Sequence, residues 1–507
     1  MPQDATPPAP HDDAGHNDAG DDSSHLQKAL GPLMLWGLGV GYVISGEYFG
    51  WNLGLPVGGT FGLLAAFIVV TLMYVTFVFS YTEMACAIPR AGGVFVYGVR
   101  GLGLLGGYLG GLAQVLEFVF APPAIAMAIA AYILTWFDTV DPDNVENVRK
   151  LVALAAYFAF TALNIWGIRQ AALFELGVTI LAVGELLLFA GVTAPHFRVE
   201  NFVANGWPHG WYGALAALPF AIWFYLAIEG VANAAEEAKN PQRDVAIGFG
   251  SAIGTLVVLA ILAFFLSVGV GGWERVVYVP DDLTTTAEGE IVVAKEAETS
   301  DGPLPLALGQ IVAKDNPLYG LLVGIGLLGL IASFNGIILI AGRALFEMGR
   351  VGFLPHFIGR ANPKTHTPAN ALVLNMFVGV AVILLFDTAK LITMSALGAV
   401  MLYVISMLAL FQLRRKEPNL PRPYRAPWYP VFPGVAFVLA VVCLAAMLYL
   451  NLEGARWLPA GHVWSWLAEQ PPTVWFVVYL LLGVAYFLLV VRSRLTPEDI
   501  AHFHRID

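Results

Sequence analysis

Long apolar runs alternate with short polar breaks along the whole chain after its first thirty residues. About 20 consecutive apolar residues cross a hydrocarbon core as a helix. Twelve runs qualify, at 32–56, 61–85, 103–136, 151–168, 171–193, 213–233, 246–271, 317–345, 369–386, 391–412, 431–451 and 473–491. The third run holds Pro122 and Pro123, which predicts a kink or tilt there. With the N-terminus inside, 18 of the 26 lysines and arginines fall on inner segments, as the positive-inside rule asks. The pattern predicts twelve spans with both termini cytoplasmic. Residues 1–30, rich in Pro, Asp, His and Gly, cannot bury enough apolar surface to fold and read as a disordered acidic cytoplasmic tail. The acidic stretch 272–316 falls outside and reads as a linker rather than a packed domain.

Composition agrees with this reading. Of 507 residues, 58% are hydrophobic and 12% charged, with mean hydropathy +0.71, whereas a soluble chain carries about 25% charged residues. The expected class is an all-α integral membrane protein. Two cysteines, Cys86 and Cys443, imply neither a disulfide framework nor a metal site. The start is polar and acidic, so no cleavable signal peptide is expected. The chain offers no nucleophile–base pair, metal-ligand cluster or phosphate loop, and no enzyme, cofactor or nucleic-acid partner is expected. Gly101-Leu102-Gly103-Leu104-Leu105-Gly106 matches a dinucleotide fingerprint only as text, since no strand precedes it.

The first run contains the most unusual stretch. Residues 37–52 hold five glycines, Ser45 and one carboxylate, Glu47. Each glycine costs a helix about 1 kcal/mol relative to alanine, so the helix is expected to break there. Broken backbone at membrane depth persists only where protein or water satisfies it. The plainer reading is a Gly-rich packing face; an acid at membrane depth favours function. The sixth run has the same character, an apolar helix interrupted near Ile228-Glu229-Gly230. Paired interruptions in corresponding places point to a transporter site. Five spans per half make the halves opposite in orientation. The expected core is therefore a 5+5 inverted repeat over 31–412, with 31–193 and 213–412 as its repeats. Two further helices and a short cytoplasmic tail follow in 413–507.

Five carboxylates fall within the runs: Glu47, Glu117, Glu185 and Glu229 near the middle, and Glu83 near the inner end of span two. No lysine or arginine lies at comparable depth. Burial without a partner favours the neutral form of a carboxyl, and an ammonium ion would compensate a buried carboxylate. Glu47 and Glu229, at the interruptions, are the first site candidates. Glu117 reads either as a substrate group or as a helix–helix hydrogen bond, Glu185 as a proton relay or the same. Glu83 reads as an inner-end structural or gating group. Aromatic faces attract alkylammonium ions, and Tyr48, Phe49, Trp51, Phe118, Phe120, Trp223, Phe224 and Tyr225 cluster beside these acids.

The run Ser80-Tyr81-Thr82-Glu83-Met84-Ala85, followed by Ile88-Pro89-Arg90-Ala91-Gly92-Gly93, resembles the span-two signature of the amino acid–polyamine–organocation permeases. Ile228-Glu229-Gly230 through Gln242-Arg243 resembles their span-six signature. Ala332-Ser333-Phe334-Asn335-Gly336 and Met348-Gly349-Arg350-Val351-Gly352-Phe353-Leu354-Pro355 are similar to their span-eight-to-nine segment. Within that superfamily the runs around Ser45-Gly46-Glu47, Glu117-Phe118-Val119-Phe120-Ala121-Pro122-Pro123 and Glu229-Gly230-Val231-Ala232-Asn233 look most like the ethanolamine permeases. The resemblance implies a 5+5 leucine-transporter-type fold and uptake of ethanolamine or a similar small amine. Amino acid carriers of the group have Gly-Ser-Gly in the broken first span, whose N–H groups hold the substrate carboxylate. Ser45-Gly46-Glu47 stands there instead, and Glu47 would repel that carboxylate. Glu117, Trp223 and Leu226 match substrate-facing positions. Some relatives carry a span-five lysine in place of a sodium ion; none is present, and Glu185 lies within one turn of that place.

These readings converge on a secondary transporter of the cytoplasmic (inner) membrane that imports a small amine by alternating access. Ile44, Ser45, Gly46, Glu47, Glu117, Phe118, Trp223, Phe224, Leu226, Ala227 and Asn335 are expected at the substrate. Ser333 is a second candidate beside Asn335, and Glu229, Glu185 and Glu83 serve gating or proton coupling. Its partners would be the amine, a coupling ion (proton or sodium) or counter-substrate, and the lipid bilayer. The alternatives are an amino acid or polyamine permease or exchanger of the same superfamily and, more distantly, a transporter-like amine sensor.

Overall fold

A computed structural model gives the structure of the chain, and the residues it describes are 30–90, 92–137, 144–166, 171–286, 291–365, 367–452 and 469–495. The expected N-terminal tail, up to residue 29, and the end of the chain from residue 496 lie outside the described residues. Nine helices among the described residues are long and apolar enough to cross a membrane, and two shorter apolar helices, Pro32–Val43 and Ala369–Leu385, accompany them.

In chain order the helices begin with α1 (Pro32–Val43), α2 (Ser45–Tyr48), α3 (Leu55–Ala87), α4 (Val94–Leu102), α5 (Leu104–Leu134), α6 (Val145–Trp166), α7 (Ala171–Thr193) and α8 (Val199–Val203). Next come α9 (Gly210–Ala216), α10 (Leu218–Trp223), α11 (Gly230–Asn233), α12 (Pro241–Gly271), α13 (Glu274–Val277), α14 (Pro303–Gly309) and α15 (Pro317–Arg350). Then come α16 (Ala369–Leu385), α17 (Thr388–Lys416), α18 (Val431–Leu450) and α19 (Pro472–Tyr486), which continues through a π-helical turn at Phe487–Val491 into a last short turn at Arg492–Arg494. Proline opens α1, α12 and α15, where its missing N–H costs nothing. The Asp387 side chain caps α17 by accepting from the Lys390 N–H at 2.8 Å. Pro122 and Pro123 lie inside α5, which is one continuous helix.

The centre of the bundle is α5. It packs along α17, α4 and α15, and α1 lies against α12, α7 and α15. Gly398 of α17 permits a close approach to α5, since a Cβ there would stand 2.6 Å from the Glu117 nitrogen. Of the long helices α5 is the most deeply enclosed, which puts Glu117 at the middle of the protein rather than at its lipid face.

Two expectations are corrected here. The stretch 272–316 is not a plain linker. It forms α13, an antiparallel pair β1 (Leu283–Thr285) and β2 (Ile291–Val293), and α14. Leu304, Ala307 and Leu308 are buried, so this apolar patch docks the segment on the bundle. Asn52 Nδ2 donates to the Ser300 carbonyl at 2.8 Å, and Thr388 Oγ1 donates to Asp301 at 2.7 Å. Burial pushes the Asp301 carboxyl up, and Arg149 at 3.7 Å pulls it back.

The second correction concerns Glu83, which does not lack a basic partner. Arg414 forks onto it, with Nε 2.8 Å from Oε1 and Nη2 2.5 Å from Oε2. Arg422 Nε lies 3.2 Å away, and the Ala426 N–H donates at 2.8 Å. The helix α17 runs past its apolar run to Lys416, and the long arginine stem carries its charge back to the buried acid. Removing one partner of a buried ion pair costs about 3–5 kcal/mol. Glu83→Ala is therefore expected to lower the thermal midpoint of the purified protein by several degrees, whereas Arg415→Ala leaves it in place. Equal midpoints for Glu83→Ala and wild type would contradict this pairing.

Candidate functional site

The first broken helix begins as α1, turns at Ile44 and resumes as α2. It then gives way to extended backbone at Phe49 and to Gly50 at φ +89°. The sixth run breaks more fully. Its α10 stops at Trp223 and α11 starts at Gly230, with a series of turns over 224–229. The two breaks touch. A Cβ on Gly46 would stand 2.3 Å from the Trp223 carbonyl oxygen and 3.1 Å from Phe224 Cα. Only glycine lets these backbones approach so closely. The Trp223 ring packs on Gly50 and meets Phe49 edge-on at 5.4 Å, and Trp51 stacks on Phe224 at 5.8 Å.

Within the second break Ala227 has φ +74°, a region that costs a residue with a Cβ about 1–2 kcal/mol. Such strain persists only where the surrounding structure holds it in place. Its consequence is visible, since the Ala227 N–H donates to Glu117 Oε1 at 3.1 Å. The Glu117 and Glu229 carboxyls meet each other. Glu117 Oε2 and Glu229 Oε1 take no donor from any other described residue. Neighbouring carboxylates repel one another, and a positive charge between them relieves the repulsion. Tyr403 Oη lies 3.1 Å from Glu229 Oε2 and 2.9 Å from the Tyr74 hydroxyl, and Tyr74 in turn donates to the Ile222 carbonyl at 3.3 Å.

Glu47 is wholly buried on α2, and neither of its oxygens has a hydrogen-bond partner among the described residues. Ser45 is tied to α15, where Ser333 Oγ lies 2.8 Å from Ser45 Oγ and donates to the Tyr42 carbonyl at 2.7 Å. Ile44, Phe118 and Leu226 are buried.

Three candidates stand apart. Asn335 Oδ1 accepts from Asn164 Nδ2 at 2.9 Å and so faces α6, leaving Ser333 as the α15 side chain at the break. Glu185 accepts from the Tyr48 hydroxyl at 2.7 Å and lines a small cavity under α14 with Leu304, Pro305 and Leu308. Glu83 belongs to the arginine cluster already described. One buried acid escaped the sequence reading. Glu175 lies within the fifth run, is 4% exposed, and its signal, a carboxylate in an apolar run, was the same as that of the other five.

Among the described residues no ion pair reaches Glu47, Glu117, Glu185 or Glu229. A cleft of about 630 Å³ lies beside this region, with Pro219, Phe220 and Thr393 in its wall and Asp387, Lys390 and His209 at its polar edge.

Two interrupted helices crossing at buried acids, within a bundle of membrane-length helices, define a multi-pass membrane transport protein. A family model described as "Amino acid permease" matches residues 30–489, and the chain belongs to that family. It is similar to an uncharacterized transporter of Rhizobium meliloti, 28% identical over 84% of this chain and 87% of that one. It is also similar to a branched-chain amino acid permease of Bacillus subtilis, 28% identical over 92% and 94% of the two chains. A probable GABA permease of Pseudomonas aeruginosa is 24% identical over 81% and 84%.

The crossing makes a specific demand on Gly46. Gly46→Val is expected to abolish transport while the protein still inserts and purifies as a monodisperse species, because the added carbons meet backbone rather than a movable side chain. At Ala227, Gly is expected to preserve transport and Val to abolish it, since Gly tolerates positive φ and a β-branched residue does not. Uptake by the three variants in one vesicle preparation checks both statements, and an active Gly46→Val or Ala227→Val would refute the corresponding one.

Proposed function

We propose that the protein imports ethanolamine or a similar small amine across the cytoplasmic membrane by alternating access. The single observation that supports this most is Glu117, which accepts from the Ala227 N–H while its other oxygen is buried without a partner among the described residues. An ammonium ion supplies the missing positive charge and up to three donors. In this reading Glu117 and Glu47 take the ammonium, Ser45, Gly46 and Ser333 serve the hydroxyl, and the Ala227 N–H orients Glu117. Trp223 and Phe224 close over the cargo, and Ile44, Phe118 and Leu226 complete the wall. Glu229 and Glu185 are candidates for changing protonation through the cycle. The chain has twelve spans, a 5+5 inverted repeat and both termini inside, and the cleft by Phe220 is the entrance from outside.

A second reading, amino acid transport, draws support from the relatives, which are named as permeases for branched-chain amino acids and GABA and as a cationic amino acid transporter. An amino acid also needs a place for its carboxylate. The Ala227 N–H, freed by the sixth break, is engaged by Glu117, and Glu47 sits where a carboxylate would have to approach. Both features weigh toward a cargo with an ammonium group and no carboxylate.

Uptake of labelled ethanolamine into reconstituted vesicles tests this. Competition by unlabelled ethanolamine, and none by leucine or GABA, is the expected outcome. A charge-assisted hydrogen bond contributes about 1.5–3 kcal/mol, so Glu117→Gln should weaken the apparent affinity by about tenfold or more. Uptake of leucine with no uptake of ethanolamine would overturn the amine reading in favour of the amino acid reading.

A further inference from the structure

Gly93 precedes α4 at φ +54°. A Cβ there would have three side-chain oxygens as its nearest neighbours, Asn233 Oδ1 at 2.8 Å, Tyr81 Oη at 3.1 Å and Gln114 Oε1 at 3.7 Å. They come from three separate elements, α11, α3 and α5, and converge on the space that the missing side chain leaves. No other described glycine is faced by side-chain oxygens alone. Asn233 is 6% exposed, Gln114 3% and Tyr81 1%. Asn233 Oδ1 and Gln114 Oε1 are enclosed without a hydrogen-bond partner among the described residues. The hydroxyl of Tyr97 likewise has none, and its ring meets that of Tyr81 edge-on at 5.4 Å. The cluster continues the site described above. Gln114 precedes Glu117 by one turn of α5, and Asn233 follows Glu229 by one turn of the sixth run. The pair of acids thus has a pair of amides beside it, on the side of the bundle toward α4. Tyr81 lies in the field of both Glu229 and Glu117.

Buried acceptors left unpaired are costly to keep. Two amide oxygens and a phenol oxygen turned toward one space call for donors. An ammonium group brings three donors and no acceptor. The cluster carries no full charge of its own, so it grips an ammonium less firmly than a carboxylate does. We propose that Asn233, Gln114 and Tyr81 form a second, weaker ammonium site one helical turn from Glu117. The cargo rests there as it passes between the helix crossing and the end of the bundle that holds α4, the cytoplasmic end in the proposed orientation. A weaker station beside a strong one lets the cargo leave in two small steps instead of one large one. The acids one turn away keep the place attractive to a cation, and Gly93 keeps it open. The proposal rests on the transport reading but not on which compound is carried, since ethanolamine, leucine and GABA all bear an ammonium group.

The test uses the full chain in right-side-out and everted membrane vesicles, with labelled ethanolamine, leucine and GABA offered separately to the wild type. Whichever of them is transported becomes the probe, so a failed amine reading leaves this measurement intact. The half-saturating concentration is then measured at each face. For Gln114→Leu and Asn233→Leu it is expected to rise about threefold to tenfold at the face nearer α4, the effect of one lost neutral hydrogen bond, and to stay within about twofold of wild type at the other face. Gln114→Glu and Asn233→Asp keep the shape and add a charge, and each is expected to lower the half-saturating concentration at the α4 face. A cluster that only packs would move both faces together. Equal shifts at both faces, a shift confined to the opposite face, or no shift at all would overturn the proposal. If the Leu variants transport nothing, the acidic pair decides, and acidic variants that are silent or unchanged at the α4 face overturn it. Wild-type vesicles that move none of the three compounds would overturn the transport reading and this proposal with it.

Discussion

Backbone meets backbone where the first interrupted helix crosses the sixth, and the surrounding arrangement follows from that contact. Gly46 lies against the Trp223 carbonyl and Phe224 Cα with no room for a side-chain carbon. Bringing two helices this close at membrane depth leaves carbonyl and N–H groups that neither helix can satisfy internally. Lipid cannot satisfy them either, so the protein must. Ser333 takes the Tyr42 carbonyl, Tyr74 takes that of Ile222, and Glu117 takes the Ala227 N–H. The polar residues at the core of the bundle are those the crossing calls for.

The acids then divide by what surrounds them. Glu83 is an ion-paired structural group, held by Arg414 and Arg422 at one end of α17. Glu185 leans on Tyr48, and through Tyr48 and Tyr132 it braces the end of the first broken helix. Glu117 and Glu229 neighbour each other beside the sixth-run break, Glu47 follows Gly46 on the first broken helix, and no ion pair among the described residues reaches any of the three. A buried carboxyl pair of this kind is costly, and the proposed amine cargo would supply the positive charge it lacks. The rings of Phe49 and Trp223 meet edge-on, and those of Trp51 and Phe224 stack, where the two breaks touch.

Much of this was legible in the residues, for physical reasons. A bilayer imposes a length on every apolar run, so α3, α5, α7, α12, α15 and α18 stand close to where hydropathy placed them. The break in the sixth run was legible because Glu229-Gly230 interrupts an otherwise apolar helix. Other features have no local signature. Ala227 is an alanine at positive φ, a conformation that its residue type argues against and only the fold imposes. Gly46 proved to be a point of close approach, and the extended backbone falls later, at Phe49 and Gly50. The meeting of Glu117 with Glu229 depends on how α5 lies beside the sixth run, which no spacing reveals. Arg414 reaches Glu83 because a long flexible stem carries charge away from its own backbone position. The docked segment around α14 was masked by its Pro, Thr and Gly content, although the apolar residues 303–308 were there to be read.

The most direct measurement of the central claim is calorimetric titration of the purified wild-type protein with ethanolamine and with leucine, side by side. If buried, unpaired acids at the helix crossing select an ammonium ion without a carboxylate, ethanolamine binds saturably at one site and leucine neither binds nor competes. Saturable binding of leucine with no heat from ethanolamine would contradict the account.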